Sequence, residues 1–163
     1  MIAKAYSASI LGVDAFTVEI EVNATTGGEH PVVAMVGLPD AAVRESRERV
    51  KSALSSCSYG YPWGYTTINL APADVKKEGA AFDLPIALGM MAAINELDTA
   101  LLAESMIVGE LALDGSIRPI QGALPIALHA RSEGKKSLIL PRVNACEAAI
   151  VDNLTVIGVN NLA

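Results

Sequence analysis

A chain of 163 residues is the size of one domain, and folding at that length buries roughly 70% of the unfolded chain's surface. Apolar residues make up 52% of the sequence and charged residues 18%, which excludes disorder and makes a disulfide or metal staple unnecessary. A net charge of −6 excludes bulk attraction to nucleic acid or anionic membrane, so any such contact needs a local patch or a fused partner.

Ala3 to Leu11 predicts a strand that turns at Gly12-Val13-Asp14. Phe16 to Val22 alternates apolar residues with Thr17, Glu19 and Glu21, the pattern of a half-buried strand. A polar loop over Thr25 to His30 leads to a third strand, Val32 to Val36, and the three are expected as an antiparallel meander. Leu38-Pro39-Asp40 opens a helix to about Ser56, with Asp40 as N-cap. Val43, Val50, Leu54 and Cys57 share its apolar face, while Glu45 with Arg49 and Arg44 with Glu48 are spaced to pair on the solvent side. Thr66 to Leu70 reads as a short strand, followed by a loop over Ala71 to Ala80.

Leu84 to Leu97 is apolar almost all round, as a covered central helix is, with Pro85 in its first turn. Its most apolar part, Leu84 to Asn95, is well short of the roughly 20 residues that span a membrane. Met106 to Leu113 and Ser116 to Ile120 flank Asp114-Gly115 and predict a hairpin. A helix from about Ala123 to Arg131 stops at Gly134; a strand (Ser137 to Leu140), a short helix (Val143 to Ile150) and a last strand (Leu154 to Val159) follow. The expected whole is one α/β domain over residues 1–163, a mixed sheet with helices.

Little in the chain carries chemistry. A phosphate-binding loop needs a glycine five residues before Gly134-Lys135, but His129 stands there and Ser137 falls one place late. His30, His129, Cys57 and Cys146 show no metal-ligand spacing, and His129 reads as an ordinary helical histidine. No basic region followed by an apolar run marks the N-terminus, so the expectation is a cytoplasmic protein with two free, mostly buried thiols. Glu19 and Glu21 lie two apart on a strand and read as solvated, and Glu110, if buried, needs a partner such as Arg118 across the hairpin. Asp74 and Asp83 read equally as caps of turns or helix ends and as functional acids.

Three ordered stretches go further. They are Val36-Gly37-Leu38-Pro39-Asp40 continuing to Ser46, Asn69-Leu70-Ala71-Pro72-Ala73-Asp74-Val75-Lys76-Lys77-Glu78-Gly79 continuing to Leu88, and Val108-Gly109-Glu110 continuing through Gly122 to Pro141. Together they closely resemble the N-terminal domain of the ComM/YifB family of bacterial, magnesium-chelatase-like AAA+ ATPases. More distantly they resemble the proteolytic domain of Lon, which implies the fold shared with the second domain of a small-subunit ribosomal protein.

In the Lon pattern a serine precedes the central helix and a lysine opens a later one. The matching runs here, Glu78-Gly79-Ala80-Ala81 and Gln121-Gly122-Ala123-Leu124, place Ala81 at the nucleophile position and Leu124 at the base position. A methyl and an isobutyl group can neither attack a carbonyl nor accept a proton, so the resemblance implies an inactive protease domain with no cofactor of its own. It also implies a downstream AAA+ module that binds ATP and Mg²⁺, a hexamer of the full-length protein, and ATP-driven branch migration on DNA in natural transformation.

Arg44, Arg47 and Lys51 project from one side of the first helix, with Lys76 and Lys77 in the loop before the central one. These five residues are the candidate contacts for nucleic acid or a partner, beside the bland reading of a solvated face. Two alternatives stay open: a peptide- or partner-binding module at the Ala81/Leu124 cleft, and a serine peptidase using Ser105 or Ser116.

Overall fold

The computed structural model describes residues 1–25 and 27–163, so Thr26, in the expected polar loop, lies outside the described residues. Ile2–Leu11 (β1) and Asp14–Ala24 (β2) close an antiparallel hairpin with Ala5 opposite Ile20. Val18, Ile20 and Val22 are fully buried, while Thr17, Glu19 and Glu21 turn to the other face, the period of two expected of a strand. Glu19 and Glu21 are not merely solvated. Lys4 across the ladder reaches Glu19 at 2.7 Å and Glu21 at 3.2 Å. The Asn69 amide, with Lys4, holds the Glu21 carboxyl below its ordinary value.

Val32–Val36 (β3) is a strand but not the third of a meander. Tyr65–Ala71 (β4) lies between β2 and β3, antiparallel to the first and parallel to the second. Parallel neighbours cannot be joined by a tight turn, and Ala41–Ser56 (α1) makes the crossover. That helix starts as expected: Asp40 Oδ1 accepts from the Val43 N–H at 2.7 Å, and Val43, Val50 and Leu54 are fully buried.

Asp83–Ala93 (α2) packs on β1, β2 and α1. It stops short of the expected Leu97 because Asn95 takes a left-handed φ of 64° and the Glu96 N–H closes back on Met91 O at 2.9 Å. A short helix not foreseen from the sequence, Thr99–Glu104 (α3), follows with Asp98 capping it.

The run expected as one strand from Met106 to Leu113 is divided. Ser105–Ile107 (β5) joins a second sheet, and only Glu110–Leu111 (β6) pairs with Ile117–Arg118 (β7) around the Asp114-Gly115 turn. Between them Gly109 leaves the sheet to serve the start of α2. Its N–H donates to Ala81 O at 2.8 Å, and its carbonyl accepts from the Leu84 N–H at 3.0 Å. Free main-chain groups at a helix start require such partners.

Ala123–Ser132 (α4), Ser137–Pro141 (β8), Ala145–Ala148 (α5) and Thr155–Val159 (β9) complete the chain. A 3-10 turn at Arg142–Asn144 makes the expected last helix shorter than Val143 to Ile150. Strands β5, β8 and β9 form a parallel sheet in the order β5-β8-β9. One apolar cluster fills the space between the first sheet, α1 and α2; a second joins α4, α5, β8 and Ala8 of β1.

The architecture is the mixed α/β fold expected. The thiols are less buried than expected: Cys57 is half-buried and Cys146 exposed, because Ala148 supplies the inward face of α5. Among the described residues no helix is long and apolar enough to cross a membrane.

Candidate functional site

Ala81 lies in the turn entering α2, half-buried, its carbonyl fixed by Gly109. Leu124 is the second residue of α4, half-buried against the second apolar cluster, and its N–H donates to Glu147 Oε1 at 3.1 Å. Both residues therefore stand at helix starts, where a side chain can be aimed at a substrate, yet each presents only hydrocarbon. Two hollows near the β1–β2 turn, one against α4 and one against Pro72 and Val75, contain neither residue.

The alternative nucleophiles are committed elsewhere. Ser105 is buried, with its hydroxyl between Leu101 O and Ser137 Oγ, both at 2.8 Å. The Ser116 hydroxyl donates to Asp114 Oδ1 at 2.6 Å inside the hairpin turn, which also holds the Asp114 carboxyl low. Thr17 Oγ1 lies 2.8 Å from His129 Nε2 and ties α4 to β2. Among the described residues the other nitrogen of that ring makes no side-chain hydrogen bond, so nothing orients it as a triad requires.

The most ordered polar cluster was not legible as such. Asp83, fully buried in the first turn of α2, is neither a cap nor a free acid. It accepts from Ser46 Oγ at 2.5 Å, Arg49 Nε at 2.6 Å, a second Arg49 nitrogen at 3.0 Å and the Leu111 N–H at 3.1 Å. Arg49 consequently does not sit on the solvent side of α1. It touches Glu45 at 3.6 Å but is anchored inward, and its guanidinium also donates to Ala42 O. Every lone pair that could serve chemistry is used to bolt α1, α2 and β6 together. Glu110 is half-exposed, and Arg118 approaches it at 4.0 Å, the pairing expected across the hairpin.

Of the five candidate contact residues, Arg44, Arg47, Lys51 and Lys76 are exposed, and Lys76 is paired with Glu78 at 2.8 Å. Lys77 is a correction. It is fully buried and donates to the carbonyls of Gly37 and Pro72, so it cannot touch a partner. Residues 76 and 77 alternate sides in extended chain, and a bridge between Pro39 and Lys77 turns the second inward. Among the described residues no group of three or more His, Cys, Asp or Glu side chains is placed to hold a metal ion.

A mixed α/β domain that carries the three ordered stretches at Val36, Asn69 and Val108 points to one class, magnesium-chelatase-like domains. The family described as subunit ChlI of Mg-chelatase matches residues 20–144, and the chain belongs to it. The chain is 43% identical over 152 residues to the competence protein ComM of Haemophilus influenzae, covering 93% of this chain and 29% of that protein. To the YifB protein of Escherichia coli it is 42% identical over 147 residues, covering 90% and 28%. A weaker likeness, 30% identity over 124 residues, links 72% of the chain to 15% of a Lon protease from Protochlamydia amoebophila. The chain thus spans less than a third of the length of each of these relatives.

Proposed function

We propose that this chain is a non-hydrolytic accessory domain of a magnesium-chelatase-like AAA+ ATPase that acts on DNA in the cytoplasm. The observation that carries the reading is that Ala81 and Leu124, the positions the Lon resemblance assigns to a hydroxyl and an amine, present hydrocarbon at the starts of α2 and α4. Losing such a pair removes on the order of 10⁶ in rate. ATP, Mg²⁺ and a ring of six subunits belong, in this reading, to a further module of the full-length protein. The likeness to a competence protein favours DNA as what the whole protein handles.

Incubating the chain with unfolded casein and with a fluorophosphonate tests the first half: neither cleavage nor serine labelling is expected, and either one removes the reading. The full-length gene product should hydrolyse ATP with Mg²⁺ while this chain alone does not. ATP hydrolysis by the chain itself would sink the second half.

A further inference from the structure

Four of the seven aromatic residues in the chain, Tyr59, Tyr61, Trp63 and Tyr65, fall at alternate positions in one short segment between α1 and β4. The first two pack against the core, but Trp63 is 64% and Tyr65 53% exposed. Exposed rings on a floppy loop would mean little; this loop is pinned at both ends. Both carboxylate oxygens of Glu96 accept from the Gly60 N–H, at 3.0 and 3.1 Å. The Val32 N–H donates to Gly64 O at 2.9 Å, and Tyr65 O accepts from the Thr25 N–H at 3.0 Å. Gly64 has a φ of +102°, and a Cβ there would stand 2.6 Å from Gly27 O, so only glycine lets the chain pass and present Trp63 outward.

Tyr61 is the wall between two hollows. One, about 280 Å³, is lined by Pro31, Val32, Val33, Arg47, Glu48 and Lys51; the other, about 330 Å³, includes Pro62, Trp63 and Ile94. Lys51 Nζ lies 6.0 Å from the Tyr61 ring. Burial pushes the Tyr61 hydroxyl up, Glu48 adding to the shift and Arg47 opposing it, and both residues line the same hollow as the ring.

Arg44, Arg47 and Lys51 recur at three- and four-residue spacing on one face of α1. Among the described residues none of them forms an ion pair, in a chain where acids outnumber bases 18 to 12. Glu45 is occupied by Arg49. That leaves Glu48 as the acid of the first hollow against two free cations, Arg47 and Lys51, with Arg44 one turn back along α1 and Glu96 tied to backbone beyond Tyr61.

Unpaired cations beside a half-buried tyrosine face and an anchored, outward-facing tryptophan are the chemistry that holds a single-stranded polynucleotide: the cations follow phosphates while the rings stack on unpaired bases. We propose that Arg47 and Lys51 on α1, with Tyr61 and Trp63 on the following loop, form a binding surface for single-stranded nucleic acid, Arg44 extending its phosphate track. The assignment rests on the nucleic-acid-acting role proposed above and names the surface through which this domain would take part. A duplex, whose bases are already stacked, would gain only the phosphate contacts.

Trp63 is the sole tryptophan, so its fluorescence reports the surface directly. The chain is titrated with an oligothymidylate of about 15 nucleotides, with the corresponding duplex and with polyglutamate, and anisotropy of labelled oligonucleotide follows the variants. The expected result is quenching by the single strand, weaker binding of the duplex and none of polyglutamate. Trp63→Ala should weaken binding roughly 10-fold or more. Arg47→Ala with Lys51→Ala should reduce the slope of log affinity against log salt by about 1.4, at about 0.7 per lost phosphate contact.

No binding at low salt, or binding indifferent to these substitutions, overturns the assignment. So does polyglutamate binding as tightly as the oligonucleotide, which would make this an acidic-peptide surface. Failure here with casein and fluorophosphonate negative removes only this surface; a labelled serine removes the accessory-domain reading and leaves these data standing.

Discussion

The Lys77 ammonium gives up its water for two carbonyl oxygens, those of Gly37 and Pro72, with no carboxylate among its hydrogen-bond partners. Burial pulls its pKa below the ordinary 10.5, and Asp74 only partly opposes that. The folded protein therefore releases this proton at lower pH than the unfolded chain does. Between the two pKa values the unfolded chain holds more protons, so the stability contributed by Lys77 rises with pH across that window. Lys77→Met leaves both carbonyls without a donor and should cost about 1–3 kcal/mol. The urea-unfolding gap between parent and variant should then widen as pH rises toward the ordinary lysine value of 10.5, and a gap that narrows would contradict the account. Nothing in the sequence separates Lys77 from Lys76, because the difference lies in which side of the extended chain meets Leu38 and Asp40. Arg49 illustrates the same limit. Its partner Asp83 is far along the chain, whereas Glu45, one helical turn away, is the pairing that local spacing can find.

At the scale of elements, what acts locally was readable and what acts at a distance was not. Asp40 caps α1 through a bond to a residue three places on, and alternation fixes which faces of β2 and β4 are buried. The partner of β3 is set by β4, beyond an entire helix, so the pattern of β3 alone suggested the wrong neighbour. The same holds at Gly109, where the demands of the α2 start break a continuous apolar run. The crossover from β3 into α1 depends on Gly37, whose φ is +100° and where a Cβ would lie 2.1 Å from Leu70 O. Gly134 also has a positive φ, 72°, but open space around it. Gly134→Ala should therefore cost only the left-handed penalty of about 1–2 kcal/mol. Gly37→Ala carries that penalty plus a clash with backbone that cannot swing aside, and should lose clearly more in the same denaturation assay. Equal losses would mean the β3–α1 turn relaxes freely and the close approach is not what holds α1 against the sheet.

Across the whole molecule two apolar clusters share their walls. Ala3 and Ala5 of β1 belong to one and Ala8 of the same strand to the other; Met106 and Ile107, adjacent in β5, are divided between them. Neither cluster can lose its β1 or β5 wall without opening the other, so the chain should unfold in one step, as domains of this size commonly do. Leu138, fully buried in the second cluster, and Trp63, beside the Tyr61 that packs on the first, allow a direct test. Leu138→Ala should cost about 2–5 kcal/mol. If the clusters are one cooperative unit, the urea midpoint read by Trp63 fluorescence falls together with the midpoint read by far-ultraviolet circular dichroism. A Trp63 midpoint that stays at the parent value while the dichroism midpoint drops would divide the chain into two independently folding halves. The rigidity of the Gly60–Tyr65 loop would then depend on the first half alone, and the surface around Trp63 should survive in a protein whose second sheet is already unfolded.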